Sequence, residues 1–98
     1  MYGLIGRIRA VTGKRADLAA ILVQEDGSMP GCLSYIVAED PTDVHVLVIT
    51  EVWTDQAAHR ASLQLPSVQA AIAKGRPLIA GFDSQVETRV LGGIGLKG

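Results

Sequence analysis

The sequence predicts an α+β domain of the split βαβ, or ferredoxin-like, kind: a four-stranded antiparallel sheet with its helices on one face. Three observations carry this. Ninety-eight residues with 48% hydrophobic content make one compact domain spanning 1–98 and leave no room for a second. Hydrophobic periodicity alternates between strand-like and helix-like in the order strand, helix, strand, strand, helix, strand. The connection Glu39-Asp40-Pro41-Thr42-Asp43 is of hairpin length, too short for a parallel crossover, so the strands it joins pair antiparallel. With right-handed crossovers this order gives the split βαβ arrangement.

The first strand is expected over Gly3–Thr12, with Leu4, Ile8 and Ala10 on one face and Ile5, Arg7, Arg9 and Val11 on the other. Thr12-Gly13 breaks the alternation, and Lys14–Glu25 sets Leu18, Ile21, Leu22 and Glu25 at helical spacing. The turn residues Asp26–Gly31 end that helix, and Cys32–Glu39 resumes alternation through Leu33, Tyr35 and Val37. Val44–Trp53 is the most strand-like run, dense in β-branched residues and free of Gly and Pro. Its two faces are Val44, Val46, Val48, Thr50, Val52 and His45, Leu47, Ile49, Glu51, Trp53. Thr54 or Asp55 can cap a helix over Gln56–Gln64, and Pro66 suits the first position of a second segment carrying Val68, Ala71 and Ile72 and closing near Gly75. Phe82–Leu91 alternates as a half-buried strand, and Gly92–Gly98 is too glycine-rich for a stable free element and is expected to drape over a partner or fray.

Strands with Val and Leu on both sides leave the sheet face opposite the helices apolar, and a homodimer packed sheet to sheet is the simplest cover. A formal charge of −1 from scattered basic and acidic residues offers no stripe for phosphates, which argues against nucleic acid as partner. No apolar run reaches the ~20 residues that span a bilayer, so no membrane partner is expected, and without signal-peptide order at the N-terminus the expected location is cytoplasmic. Cys32 has no cysteine to pair with and reads as a small strand residue rather than a catalytic thiol.

The Glu51 and Trp53 face is the unusual one. An acidic side chain and an indole two positions apart on an apolar strand are how an apolar pocket gains convergent polar groups. Trp53 is pocket wall or core filler; Glu51 is a salt-bridge partner or a base raised by burial. His59 is a general base near neutral pH or a polar helix residue, and His45 a sheet histidine before it is a functional one. Tyr35 can donate to a phenolic ligand or pack as an amphipathic core residue. Arg7 and Arg76 read first as solvated or dimer-bridging cations. The glycine run after the last strand opens no helix and cradles no phosphate.

The turn Pro30-Gly31-Cys32-Leu33-Ser34-Tyr35, the hairpin, then Glu51-Val52-Trp53-Thr54-Asp55 leading into His59-Arg60-Ala61-Ser62-Leu63 and Pro66-Ser67-Val68 resemble the antibiotic biosynthesis monooxygenase family of dimeric α+β barrels. The resemblance runs from about Leu4 to Val90. It implies a ferredoxin-like dimer with one pocket per subunit, in which phenols or quinols are oxidised to quinones with O₂ without flavin, metal or haem. It places a pocket tryptophan at Trp53. Many members carry the helix histidine nine residues after that tryptophan, where Ser62 stands; His59 is three residues earlier on the same helical face. Related haem-degrading enzymes use an Asn on the first strand and an axial His, positions near Gly6 and near Ser62 or Leu63 here, and this chain has no Asn.

The expected protein is thus a homodimer without a dedicated cofactor, taking a small aromatic substrate and O₂. His59 and Trp53 are the expected catalytic pair, with Tyr35, Glu51 and Ser62 as substrate contacts and no metal ligands. The alternative is a ligand-binding or stress-related dimer that keeps the fold without the chemistry.

Overall fold

The computed structural model describes residues 1–23 and 29–96. The expected end of the first helix at Gln24 and Glu25, the first half of the following turn, and Lys97 and Gly98 lie outside the described residues. The elements are β1 (Tyr2–Ala10), α1 (Arg15–Val23), β2 (Cys32–Glu39), β3 (Val46–Trp53), α2 (Gln56–Ser62), α3 (Pro66–Gly75) and β4 (Ile79–Arg89), with a 3₁₀ turn at Arg76–Leu78. The four strands form one antiparallel sheet in the order β2-β3-β1-β4, the split βαβ arrangement.

β3 is central because its sequence can be covered on both sides. Val46 and Leu47 are fully buried, Ile49 nearly so, and Trp53 is 1% exposed. Leu47 and Ile49 meet Leu18 of α1 and Ala10 of β1 in the core, with Ile8, Leu22, Tyr35, Val37 and Leu78 packed around them. Complete burial of each large side chain contributes about 1.5–3 kcal/mol. The strand starts two residues later than the alternation suggests. Asp43 accepts from the His45 amide at 3.0 Å and its carbonyl from the Val46 amide at 3.2 Å, so Val44 and His45 finish the turn.

Two further boundaries move for similar reasons. β4 begins at Ile79, earlier than expected, because the 3₁₀ turn delivers the chain directly onto β1, opposite Ala10. Register shifts between Arg7 and Ile8 and between Arg9 and Ala10 then put Phe82 opposite Ile8, off the Ser84 and Val86 face with which alternation grouped it. Nor is β4 half-buried in the single chain: it is the sheet edge, and Phe82 and Val86 are 63% and 51% exposed. In the helical region the break falls where proline predicts. Three short bonds, from the Leu63, Gln64 and Leu65 amides to the carbonyls three residues back, tighten the end of α2, and Pro66 opens α3.

Charge fixes the β2–β3 hairpin. Arg7 pairs with Asp40, whose other oxygen accepts from the Thr42 amide and hydroxyl, both at 2.8 Å. Arg9 bridges Asp43 at 2.9 Å and Asp83 at 2.6 Å, tying the hairpin to β4. Arg15 reaches the carbonyls of Asp40 and Asp43 from α1. The two β1 arginines, which sequence alone leaves as solvated or bridging, therefore bridge within the chain. The Arg7 guanidinium, then the two Thr42 donors, hold the Asp40 carboxyl well below the usual carboxylate range. A depressed folded pKa stabilises the fold above the group's ordinary 3.8 and loses that contribution as acid protonates it. The urea midpoint is therefore expected to fall steadily as pH drops from about 5 to 2, and the fall becomes shallower in Asp40→Asn, measured by tryptophan fluorescence.

Candidate functional site

The Glu51-x-Trp53 spacing does the local work. Alternation on β3 points both side chains to the helix-covered face, and the Trp53 indole Nε1–H donates to Glu51 Oε1 at 3.0 Å. That oxygen is also 4.0 Å from His59 Nε2. The Glu51 and His59 side chains are 15% and 18% exposed, so carboxylate and imidazole share a largely dry setting. Burial pushes the Glu51 carboxyl above its ordinary 4.5, against the opposing pull of the Trp53 hydrogen bond and the His59 charge. The imidazole ring packs edge-on to the indole, with centroids 5.4 Å apart and planes at 66°.

His59 reaches this position because α2 starts where it does. Asp55 is the N-cap, its carboxylate accepting from the Ala58 amide at 2.8 Å, which settles the choice between Thr54 and Asp55. The turn before β2 is locked against the same helix. Gly31 sits at φ +82, and its carbonyl accepts from the Thr54 amide at 2.9 Å. A Cβ there would lie 2.6 Å from Ala58 Cβ and 2.9 Å from Thr54 Oγ1. Only glycine supplies both that backbone and that clearance.

The remaining expected residues are placed as follows. The unbroken hairpin register sets Tyr35 directly opposite Glu51 across the β2–β3 ladder, where it also packs on the core, and only beyond it does a register shift between Cys32 and Ser34 make Leu33 the extra residue of a bulge. Ser62 is 3% exposed, and its hydroxyl donates to the His59 carbonyl at 2.6 Å, so only its acceptor lone pairs stay available. His45 lies in the hairpin turn, remote in register from Glu51. Cys32 is opposite Trp53, and burial followed by the Glu51 charge pushes its thiol pKa up, the setting of an inert thiol. Among the described residues no three His, Cys, Asp or Glu side chains converge as a metal site requires.

Three residues that sequence reading passed over complete the surroundings. The Tyr2 ring lies 5.6 Å from the His59 ring, Tyr2 Oη donates to Glu87 Oε2 at 2.7 Å, and Gln56 Nε2 donates to the same oxygen at 3.2 Å. Tyr2 also lines an open cleft of about 340 Å³ with Met1, Thr54, Asp55, Thr88 and Arg89. Trp53, Glu51 and His59 do not line it, so Tyr2 is the wall between cleft and cluster. The signal for Tyr2 was available, since it continues the Leu4, Ile8 and Ala10 face, but its approach to Trp53 needs the β1–β3 register.

The chemical capacity is that of an imidazole base set beside a buried carboxylate and an indole. Because α2 is seated against Gly31, Gly31→Ala should lower the unfolding free energy by about 2 kcal/mol. Urea unfolding followed at the single tryptophan measures it, and the same variant should weaken the Trp53–His59 contact.

Comparison with known proteins identifies the family and agrees with the fold. Residues 1–74 match the antibiotic biosynthesis monooxygenase family model. Among solved structures, a candidate antibiotic biosynthesis monooxygenase from Chloroflexus aurantiacus is similar at 58% identity and a TM-score of 0.94, covering 98% of both chains. Another from Deinococcus radiodurans is 28% identical at a TM-score of 0.78 over the whole of both chains. An uncharacterised Synechocystis protein is 30% identical over 78 residues, 76% of this chain and 53% of that protein, so the chain spans about half the length of that curated relative. With the matched segment running from β1 through most of α3 and including the Glu51, Trp53 and His59 cluster, this chain belongs to the antibiotic biosynthesis monooxygenase family.

Proposed function

We propose that this protein is a cofactor-independent monooxygenase that oxidises a small aromatic phenol or quinol to a quinone with O₂. The observation that carries the reading is the convergence of a buried carboxylate, an imidazole and an indole on one face of β3, with Glu51 Oε1 within 3.0 Å of the indole nitrogen and 4.0 Å of the imidazole. His59 takes the phenolic proton. The electron-rich phenolate then gives an electron to O₂ directly, and the site keeps the resulting radical pair from water. For a phenol with a free para position the balance closes without another reactant. One oxygen atom enters the ring, and the other leaves as water with the phenolic and para hydrogens; a quinol instead gives two electrons and its two hydroxyl hydrogens to O₂, which leaves as hydrogen peroxide.

In this reading Trp53 backs the ring, and Tyr35 and Ser62 face it as polar contacts. The functional unit is a cytoplasmic homodimer. Support for the dimer comes from the outer sheet face, where Ile5, Ile36 and Val86 are 38%, 55% and 51% exposed in the single chain. Among the described residues no helix is long and apolar enough to cross a membrane.

Oxygen uptake with a panel of hydroquinones, naphthols and naphthoquinols tests the reaction. Uptake above autoxidation is expected for at least one class, falling about 100-fold or more in His59→Ala and substantially in Trp53→Phe. Folded protein that adds nothing to autoxidation across the panel would refute the oxidation and leave a ligand-binding role for the same fold.

A further inference from the structure

Tyr2 stands where three elements meet. On β1 it is opposite both Trp53 of β3 and Arg89 of β4. Its ring lies 5.6 Å from that of His59 at 32°, and the Trp53 ring lies 5.4 Å from the same imidazole, so the imidazole has two aromatic neighbours. The phenol is not free to swing away. Its hydroxyl donates to Glu87 Oε2, and the amide of Gln56 donates to that same oxygen. Gln56 opens α2, and His59 follows it by three residues on the same helical face. One carboxylate oxygen of β4 therefore restrains both the ring that stacks on His59 and the helix that carries it. Glu87 also lies beyond the family-matched segment, which ends at residue 74.

We propose that Tyr2, held with Gln56 by Glu87, is a positioning residue that fixes the His59 imidazole against Trp53 and beside Glu51. The inference rests on His59 being the proton acceptor only for its effect on rate; the positioning itself is a matter of ring geometry. The reason it matters is distance. His59 Nε2 is 4.0 Å from Glu51 Oε1, already beyond hydrogen-bond reach, and no direct bond between them holds the ring in place. A displacement of about 1 Å at a reacting group can cost 100-fold in rate. Stacking against Tyr2 is what limits that displacement, and the shared Glu87 bond limits the motion of Tyr2.

Two readouts test this on the full-length protein. The first is the NOE between His59 imidazole and Trp53 indole protons, which needs no turnover and is simplified by a single tryptophan and two histidines. It is expected to be strong in the wild type, absent in Tyr2→Leu, weakened in Glu87→Leu, and largely recovered in Glu87→Gln, whose amide oxygen still accepts from Tyr2. The second is the steady-state split: kcat is expected to fall about tenfold in Tyr2→Leu and Glu87→Leu with KM little changed. An undiminished NOE in folded Tyr2→Leu and Glu87→Leu overturns the proposal. Should Tyr2→Leu fail to fold, Glu87→Leu decides alone, because Glu87 is exposed on an edge strand. Loss of the NOE in a protein whose wild type oxidises nothing supports the positioning role while refuting the proposed reaction.

Discussion

The hydrogen bond from the Trp53 indole to Glu51 is the interaction on which the site depends. A carboxylate this far from water is costly unless something donates to it, and the donor here is supplied by the same strand two residues on. That solution leaves little freedom. The indole must lie against the sheet to reach the carboxylate, and there it fills core volume at 1% exposure. The packing residue and the polar partner are therefore one side chain.

The rest of the fold serves to bring a base to that carboxylate. α2 is only seven residues long and has little stability of its own, so its place is set from outside. Asp55 caps it, Gly31 lets the turn before β2 approach it closely, and Gln56 ties its first residue to β4. At the opposite end of the sheet, Arg7, Arg9 and Arg15 tie down the hairpin that carries β2 into β3. The two ends differ in character. The hairpin end is held by part-buried ion pairs, and the Trp53 end by rings and a buried carboxylate, where low polarity strengthens each remaining electrostatic contact.

The architecture was largely legible because each element has a strong local cause. β3 has no Gly or Pro and many β-branched residues, the hairpin is too short to cross over, and Pro66 can only begin a helix. Edges were less legible. Register shifts at Leu33 and in β4, and the late start of β3, depend on side chains from elsewhere in the fold, such as Arg9 on Asp83, that local periodicity does not contain. The same limit explains the site. Glu51 and Trp53 were visible as neighbours on one strand face, and His59 as a titratable residue on the next helix. Tyr2 and Glu87 sit 85 positions apart and join only through strand pairing. Tyr35 follows from alternation and the hairpin register, whereas the pairing of Cys32 with Trp53 depends on a bulge that no spacing rule announces.

The most direct test of this account is the pH dependence of the one indole N–H resonance, which the single tryptophan makes unambiguous. If Trp53 donates to a buried Glu51 carboxylate, that resonance should shift with a midpoint above the ordinary 4.5 of a glutamate, and the shift should vanish in Glu51→Gln. An indole resonance that does not move between about pH 3 and 8, or that titrates identically in Glu51→Gln, would contradict it.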